Sequence, residues 1–117
     1  MSSQTPPSVD DVFALLTDPD RRAVLSVLRE HGSVEERTLA RRAAAHQHDS
    51  TPDSVNDERV RATRLTFWHV HLPRLDETSL VDHDRSAGQV EPGPAFGRVV
   101  PVLEAAAEYA GQHAEND

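Results

Sequence analysis

Residues 58–84 read ERVRATRLTFWHVHLPRLDETSLVDHD, and how this stretch divides decides the fold. Asn56 or Asp57 can start a helix whose pattern continues to about Thr78. Val60, Leu65, Trp68, Leu72 and Leu75 cluster within about half a turn at roughly 100° per residue. That spacing predicts a long helix with Leu65, Trp68 and Leu72 turned inward. Trp68 is the only tryptophan of the chain, and its bulk is expected to fill a core with few aromatics. Pro73 projects away from the stripe. It has no N–H for the His69 carbonyl, so a bend is expected there, near the surface where the freed carbonyl meets water. Beyond it, LVDHD and QVE alternate around RSAG and Gly88, the pattern of a small hairpin.

Upstream, Ser8 can cap a short helix through Leu16, with Asp10 and Asp11 in its first turn and Val9, Val12, Phe13 and Leu16 on one side. Asp18 can cap a second helix with Pro19 at its first position. Val24, Val27 and Leu28 form its stripe, and Gly32 ends it. SVEE places Ser33 three residues before Glu36, a capping box for a third helix to about Ala45. Leu39, Ala40, Ala43 and Ala44 give that helix a narrow face. Residues 46–56, HQHDSTPDSVN, read as a loop. After the hairpin, Phe96, Val99, Val100, Leu103, Ala107 and Ala110 form a helical stripe; Pro101 kinks this helix or marks its start, and Gly111 is expected to stop it. Arg21 and Arg22 lie at the wrong end of their helix for its dipole, which predicts a carboxylate partner. The order is three helices, a long helix, a hairpin and a helix. It describes a mainly α fold with a small β-hairpin: a winged helix-turn-helix domain over 8–92, a C-terminal helix over 93–113, and loose tails at 1–7 and 114–117.

With 117 residues, one domain is expected. The absence of Cys excludes disulfides and thiolate metal sites. No apolar run reaches the roughly 18 residues of a membrane span, and the N-terminus lacks the pattern of a secretory signal. A cytoplasmic protein is expected. The formal net charge is −8, from 20 acidic and 12 basic residues. All 12 basic residues are Arg, and Ile is absent too. Acidic excess without Lys is what proteins of salt-saturated cytoplasms show; a GC-rich genome also favours Arg over Lys and removes Ile. An acidic chain ordinarily disfavours nucleic acid. At molar salt this argument weakens, because charges are screened within about 3 Å and counterion release supplies little affinity.

The segments VFALLTDPDRRAVLSVLREHG, SVEERTLARRAAA and ERVRATRLTFWHVHLPRLDETSLVDHD together resemble an uncharacterised family of haloarchaeal winged-helix domains. The resemblance rests on Leu15, Leu16, Asp18, Pro19, Arg21, Arg22, Val24, Leu25 and Leu28, then on His71, Leu72, Pro73, Leu75, Asp76, Leu80, Val81 and Asp84. It runs from residue 9 to about 91. The broader pattern is similar to metal-sensor-like and phage-repressor-like transcription regulators. It implies a DNA-binding regulator fold. Two features depart from it: residues 46–56 replace the usual turn of about 3–4 residues, and ETSLV at 77–81 stands where a glycine turn is usual.

A recognition helix presents outward side chains to the major groove. Opposite the Leu65/Trp68/Leu72 stripe lie Arg59, Ala62, Thr63, Thr66, His69 and Val70. Arg59 suits guanine or phosphate, Thr63 and Thr66 suit phosphate or a thymine methyl, and His69 suits phosphate. Arg85 occupies the hairpin tip, where a wing touches DNA. Arg61 and Arg64 fall on the flank of the stripe. His69 and His71, two apart on a helix, point about 200° apart and cannot share an ion. The His46/His48 pair sits in a loop without fixed geometry. No metal, cofactor or small-molecule ligand is expected, and no catalytic motif is present. The reading is a DNA-binding transcriptional regulator with double-stranded DNA as partner, paired as a homodimer through residues 95–110. The alternative is a winged-helix protein-protein interaction module without DNA binding.

Overall fold

The computed structural model describes residues 8–48 and 50–114, with side chains described to Tyr109. The expected tail at 1–7 lies outside them, as do residues 115–117 of the tail expected at 114–117; Ala114 itself belongs to the last helix. The elements run α1 (Val9–Leu16), α2 (Pro19–His31), β1 (Val34–Glu35), α3 (Glu36–Gln47), a 3-10 turn (Pro52–Ser54) and α4 (Asp57–Thr66). A π-helical turn (Phe67–His71), α5 (Leu72–Glu77), β2 (Val81–Asp84), β3 (Gln89–Pro92), a 3-10 turn (Phe96–Arg98) and α6 (Val100–Ala114) follow. The strands form one antiparallel sheet in the order β1-β3-β2. This is a winged helix-turn-helix: α3 and α4 form the helix pair, β2 and β3 the wing, and α6 is added.

Local chemistry sets the starts as expected in two places. Ser8 and Asp11 form a reciprocal capping box on α1, and Asp18 caps α2 by accepting from the Asp20 N–H at 2.8 Å. The third start differs. Ser33 does not cap α3; its hydroxyl lies 3.2 Å from Gln89 Oε1, and Val34–Glu35 form β1, paired with Val90 and Gln89. Burying Val34 against the sheet outweighs the cap, and Glu36 uses its carboxylate elsewhere.

Arg21 and Arg22 also differ from expectation. Arg21 Nε donates to the Leu15 carbonyl at 2.7 Å and Arg22 Nη1 to the Leu16 carbonyl at 2.6 Å. These are orphan acceptors at the C-terminal end of α1, which carries the negative end of its dipole. No carboxylate is needed.

The long helix departs most. Phe67 is 2% exposed whereas Leu65 is 54% exposed, so Leu65 is not a core residue. Trp68 is half-buried and packs on the wing instead of filling the core. The cause is the π turn, in which the Leu72 N–H bonds to the Phe67 carbonyl, five residues back. Such a turn holds one extra residue. Counting one less after it, Val60, Phe67, Leu72 and Leu75 fall within about 60° of arc at 100° per residue. All four are buried. Pro73 follows directly; the widened turn relieves its ring against the preceding carbonyls and spares the bond it cannot make.

The main core joins Val24, Leu25 and Leu28 of α2 to Leu39 of α3, Phe67, Leu72 and Leu75, and Val81 and Val90 of the wing. Phe96, Val99 and Leu103 close it from the C-terminal side, so half of the stripe expected for pairing is consumed by the chain's own core. Pro101 lies in the first turn of α6, and Gly111 is inside α6, which runs on to Ala114. A second cluster, Ala40, Ala44, Ala45, Val55 and Val60, packs α3, the connector and α4 together. Ser79 sits at φ 64°, the left-handed region where the usual glycine would be unstrained.

Candidate nucleic-acid interface

The helix phase decides which side chains a partner meets. Val60 and Phe67 face the core, so the outward face of α4 carries Glu58, Arg61, Ala62, Leu65 and Thr66, continuing into His69 and Val70 of the π turn; all are exposed. This face is rotated by roughly a quarter turn from the one expected for an uninterrupted helix. Arg61, expected at the flank, points outward, and among the described residues it makes no hydrogen bond or ion pair. Thr63 turns the other way and is half-buried. With Arg59, Ala62 and Thr66 it lines a shallow groove against Asp20, Gln47 and His48. Arg59 Nη1 lies 3.0 Å from His48 Nε2. Arg59, Thr63 and Thr66 are thus brought together on the α3 side. His69 stands on the outward face, and Arg85 at the wing tip.

The wing tip is shaped by Asp84. Its Oδ1 accepts from the Ser86 hydroxyl at 2.8 Å and the Ala87 N–H at 3.1 Å. The Ser86 bond, then the Ala87 bond, holds the Asp84 carboxyl below its usual range. Gly88 completes the turn at φ 67°. Arg85 lies over the Trp68 ring, 4.9 Å from its centroid, a cation–π contact. The edge of His83 meets the same indole at 5.0 Å and 88°. Trp68 therefore joins helix to wing.

Beneath this contact sits Glu36, 4% exposed. Its Oε1 accepts from Arg64 Nε at 3.2 Å and Nη2 at 3.0 Å; its Oε2 accepts from His83 Nε2 at 2.7 Å. Sequence reasoning assigned Glu36 to a cap and placed neither His83 nor Arg64 beside it. The signal that existed is Val34 between polar neighbours, a short strand hidden in the apparent capping box.

The charges are uneven. Residues 57–89 hold five arginines against six carboxylates, close to neutral, in a chain of net charge −8. Asp57 pairs with Arg37 at 3.2 Å and Arg41 at 2.7 Å, both on α3. The hydrogen bond from Arg41, then the charges of Arg37 and Arg41, pull its carboxyl below the usual range. Among the described residues Arg59 and Arg85 have no carboxylate partner, and Arg61 forms no ion pair, although its charge also helps to lower the Asp57 carboxyl.

A different cluster brings Asp18, Asp20 and His71 together, with their ligand-type atoms within 4.8 Å of one another. His71 is 4% exposed, and its Nε2 lies 3.2 Å from Asp20 Oδ2. An imidazole that binds metal through Nε2 carries its proton on Nδ1, and ligating histidines donate that proton. Here Nδ1 is buried with no acceptor among the described residues. The set fits an Nε2–H donated to Asp20, packed edge-on against Phe67 at 6.1 Å, better than it fits a metal. His46 lies within α3 and His48 at its C-cap, not together in a loop.

No helix among the described residues is long and apolar enough to cross a membrane. No curated protein matches this chain, and no solved structure does. A family model described as a domain of unknown function, DUF7344, matches residues 13–91, from α1 through the wing and short of α6. The match covers more than half of the sequence, and the chain belongs to the DUF7344 family.

Proposed function

We propose that the chain is a cytoplasmic winged-helix protein that binds double-stranded DNA at high salt and regulates transcription. One observation carries the reading: the α3-side edge of α4, its outward face and the wing tip present Arg59, Arg61 and Arg85, none of them in an ion pair with a carboxylate among the described residues, within a nearly neutral segment of an acidic chain. Thr66 and His69 share the exposed helix face. Thr63 contributes from the groove edge. Leu65 adds an apolar side chain suited to a thymine methyl. The Lys-free, acidic remainder suits a concentrated salt solution.

Pairing through residues 95–110 belongs to the same proposal. The face left for it carries Val102, Ala106 and Tyr109 beside Phe13, since Phe96, Val99 and Leu103 are buried. Light scattering in molar KCl reads the mass. Two copies on one duplex would set their recognition helices about 34–36 Å apart.

Fluorescence polarisation in molar KCl against duplex genomic fragments tests DNA binding. Arg61→Ala and Arg85→Ala should each weaken binding and reduce the slope of log affinity against log salt by about 0.9 per lost phosphate contact. Undiminished binding in both variants rejects the interface. The second reading, a protein-binding module, draws on Leu65 and Val70, 54% and 46% exposed on the same face. It gains if no duplex binds and Leu65→Asp abolishes capture of a specific protein.

A further inference from the structure

We propose that Glu36 is a positioning residue: its buried carboxylate fixes the wing against the recognition helix and withholds Arg64 from phosphate. The first half rests on geometry alone. The second half rests on the DNA-binding reading.

Glu36 opens α3, Arg64 belongs to α4 and His83 to β2. An ionised carboxylate only accepts hydrogen bonds, so Arg64 and His83 are both donors here. Three elements far apart in sequence meet on one side chain whose neighbours are unequally covered. The side chains of Glu36 and His83 are 3% and 2% exposed, whereas that of Arg64 is 50% exposed. The buried pair faces the sheet and the exposed guanidinium faces solvent along α4. His83 in turn supports Trp68, and Trp68 carries Arg85. A continuous set of contacts therefore runs from the first residue of α3 to the wing tip. Without the carboxylate, His83 has no charge to hold it and Arg64 is free to swing outward beside Arg61.

A merely structural ion pair would predict lost stability and nothing else. The proposal predicts two further readouts. The first needs no DNA. Trp68 is the only tryptophan, so its emission reports the His83 and Arg85 contacts directly. In Glu36→Gln, which keeps the side-chain shape, the emission should shift in the folded protein, and amide exchange across residues 81–92 should accelerate while α2 stays protected. The second uses duplex DNA in molar KCl. Glu36→Gln should steepen the salt slope by about 0.9, as Arg64 gains a phosphate.

Arg64→Gln in the native background should leave that slope unchanged, and it serves equally if Glu36→Gln does not fold. His83→Gln should shift the Trp68 emission without altering the slope. Unchanged emission and wing exchange in folded Glu36→Gln or His83→Gln overturns the clamp. A shallower slope in Arg64→Gln overturns the withheld arginine. If the native protein binds no duplex, the DNA reading and the withheld arginine fall together, while emission and exchange still decide the clamp.

Discussion

Replacing Phe67 by Ala should be among the most damaging single changes in α4 and the π turn that follows it, and replacing Leu65 by Ala among the mildest. Phe67 is 2% exposed and lies in the main core. A buried aromatic covers about 150–250 Å². At about 25 cal/mol per Å² this gives an upper bound of about 4–6 kcal/mol. Measured Phe→Ala costs of about 3–5 kcal/mol agree with it. The edge contact to His71 is lost as well. Leu65 is more than half exposed, so its truncation should stay within about 0.5 kcal/mol. Urea unfolding at fixed molar KCl, followed by circular dichroism, separates the two. With a slope of about 1.5 kcal/mol per molar urea, the Phe67→Ala midpoint should fall by roughly 2–3 M, and that of Leu65→Ala by less than about 0.4 M. A larger loss from Leu65→Ala than from Phe67→Ala would refute the π turn and the helix face derived from it.

Other expectations follow from single contacts. Arg22→Ala, which removes a 2.6 Å bond to the Leu16 carbonyl, should cost about 1–2 kcal/mol by urea unfolding and should accelerate amide exchange in α1 first. Gly93→Ala should cost about 1–3 kcal/mol, because the added methyl would press on the Ser79 carbonyl and lie 2.9 Å from the Val81 nitrogen. Gly97→Ala meets nothing within 4 Å and should be close to neutral in the same assay. Asp57 titrates below its ordinary value of 3.8 when folded, so its stabilisation is present above that value and disappears as pH falls through the lowered one. The stability gap between the native protein and Asp57→Asn should therefore close on acidification and narrow with added salt.

The sequence alone located the helix order and the hairpin, because capping residues and alternating apolar positions are local signals. Asp18 with Pro19, and Gly88 in the RSAG turn, are of this kind. The helix phase was not legible in the same way. A π turn leaves no composition signal; only Pro73, and the five-residue interval from Phe67 to Leu72, hint that one residue is extra. Counted as a plain helix, the stretch put Leu65 and Trp68 inward and Arg61 on the flank. Glu36 was masked by a motif that fits two structures equally, a capping box or a two-residue strand. Choosing between them depends on Val90 and Gln89, more than 50 residues away. The partners of Arg21 and Arg22 were missed for a related reason, since carbonyl acceptors carry no residue identity.

The connector between α3 and α4 spans residues 48–56, yet it is fastened by one guanidinium. Arg41 donates to the carbonyls of Pro52 and Val55 and to the carboxylate of Asp57, while Val55 is tucked under the alanines of α3. Chain length and stiffness are therefore decoupled here. Residues inserted ahead of Thr51 would lengthen the link without altering the angle at which the two helices cross, so related chains can vary in this stretch and still present the same face of α4.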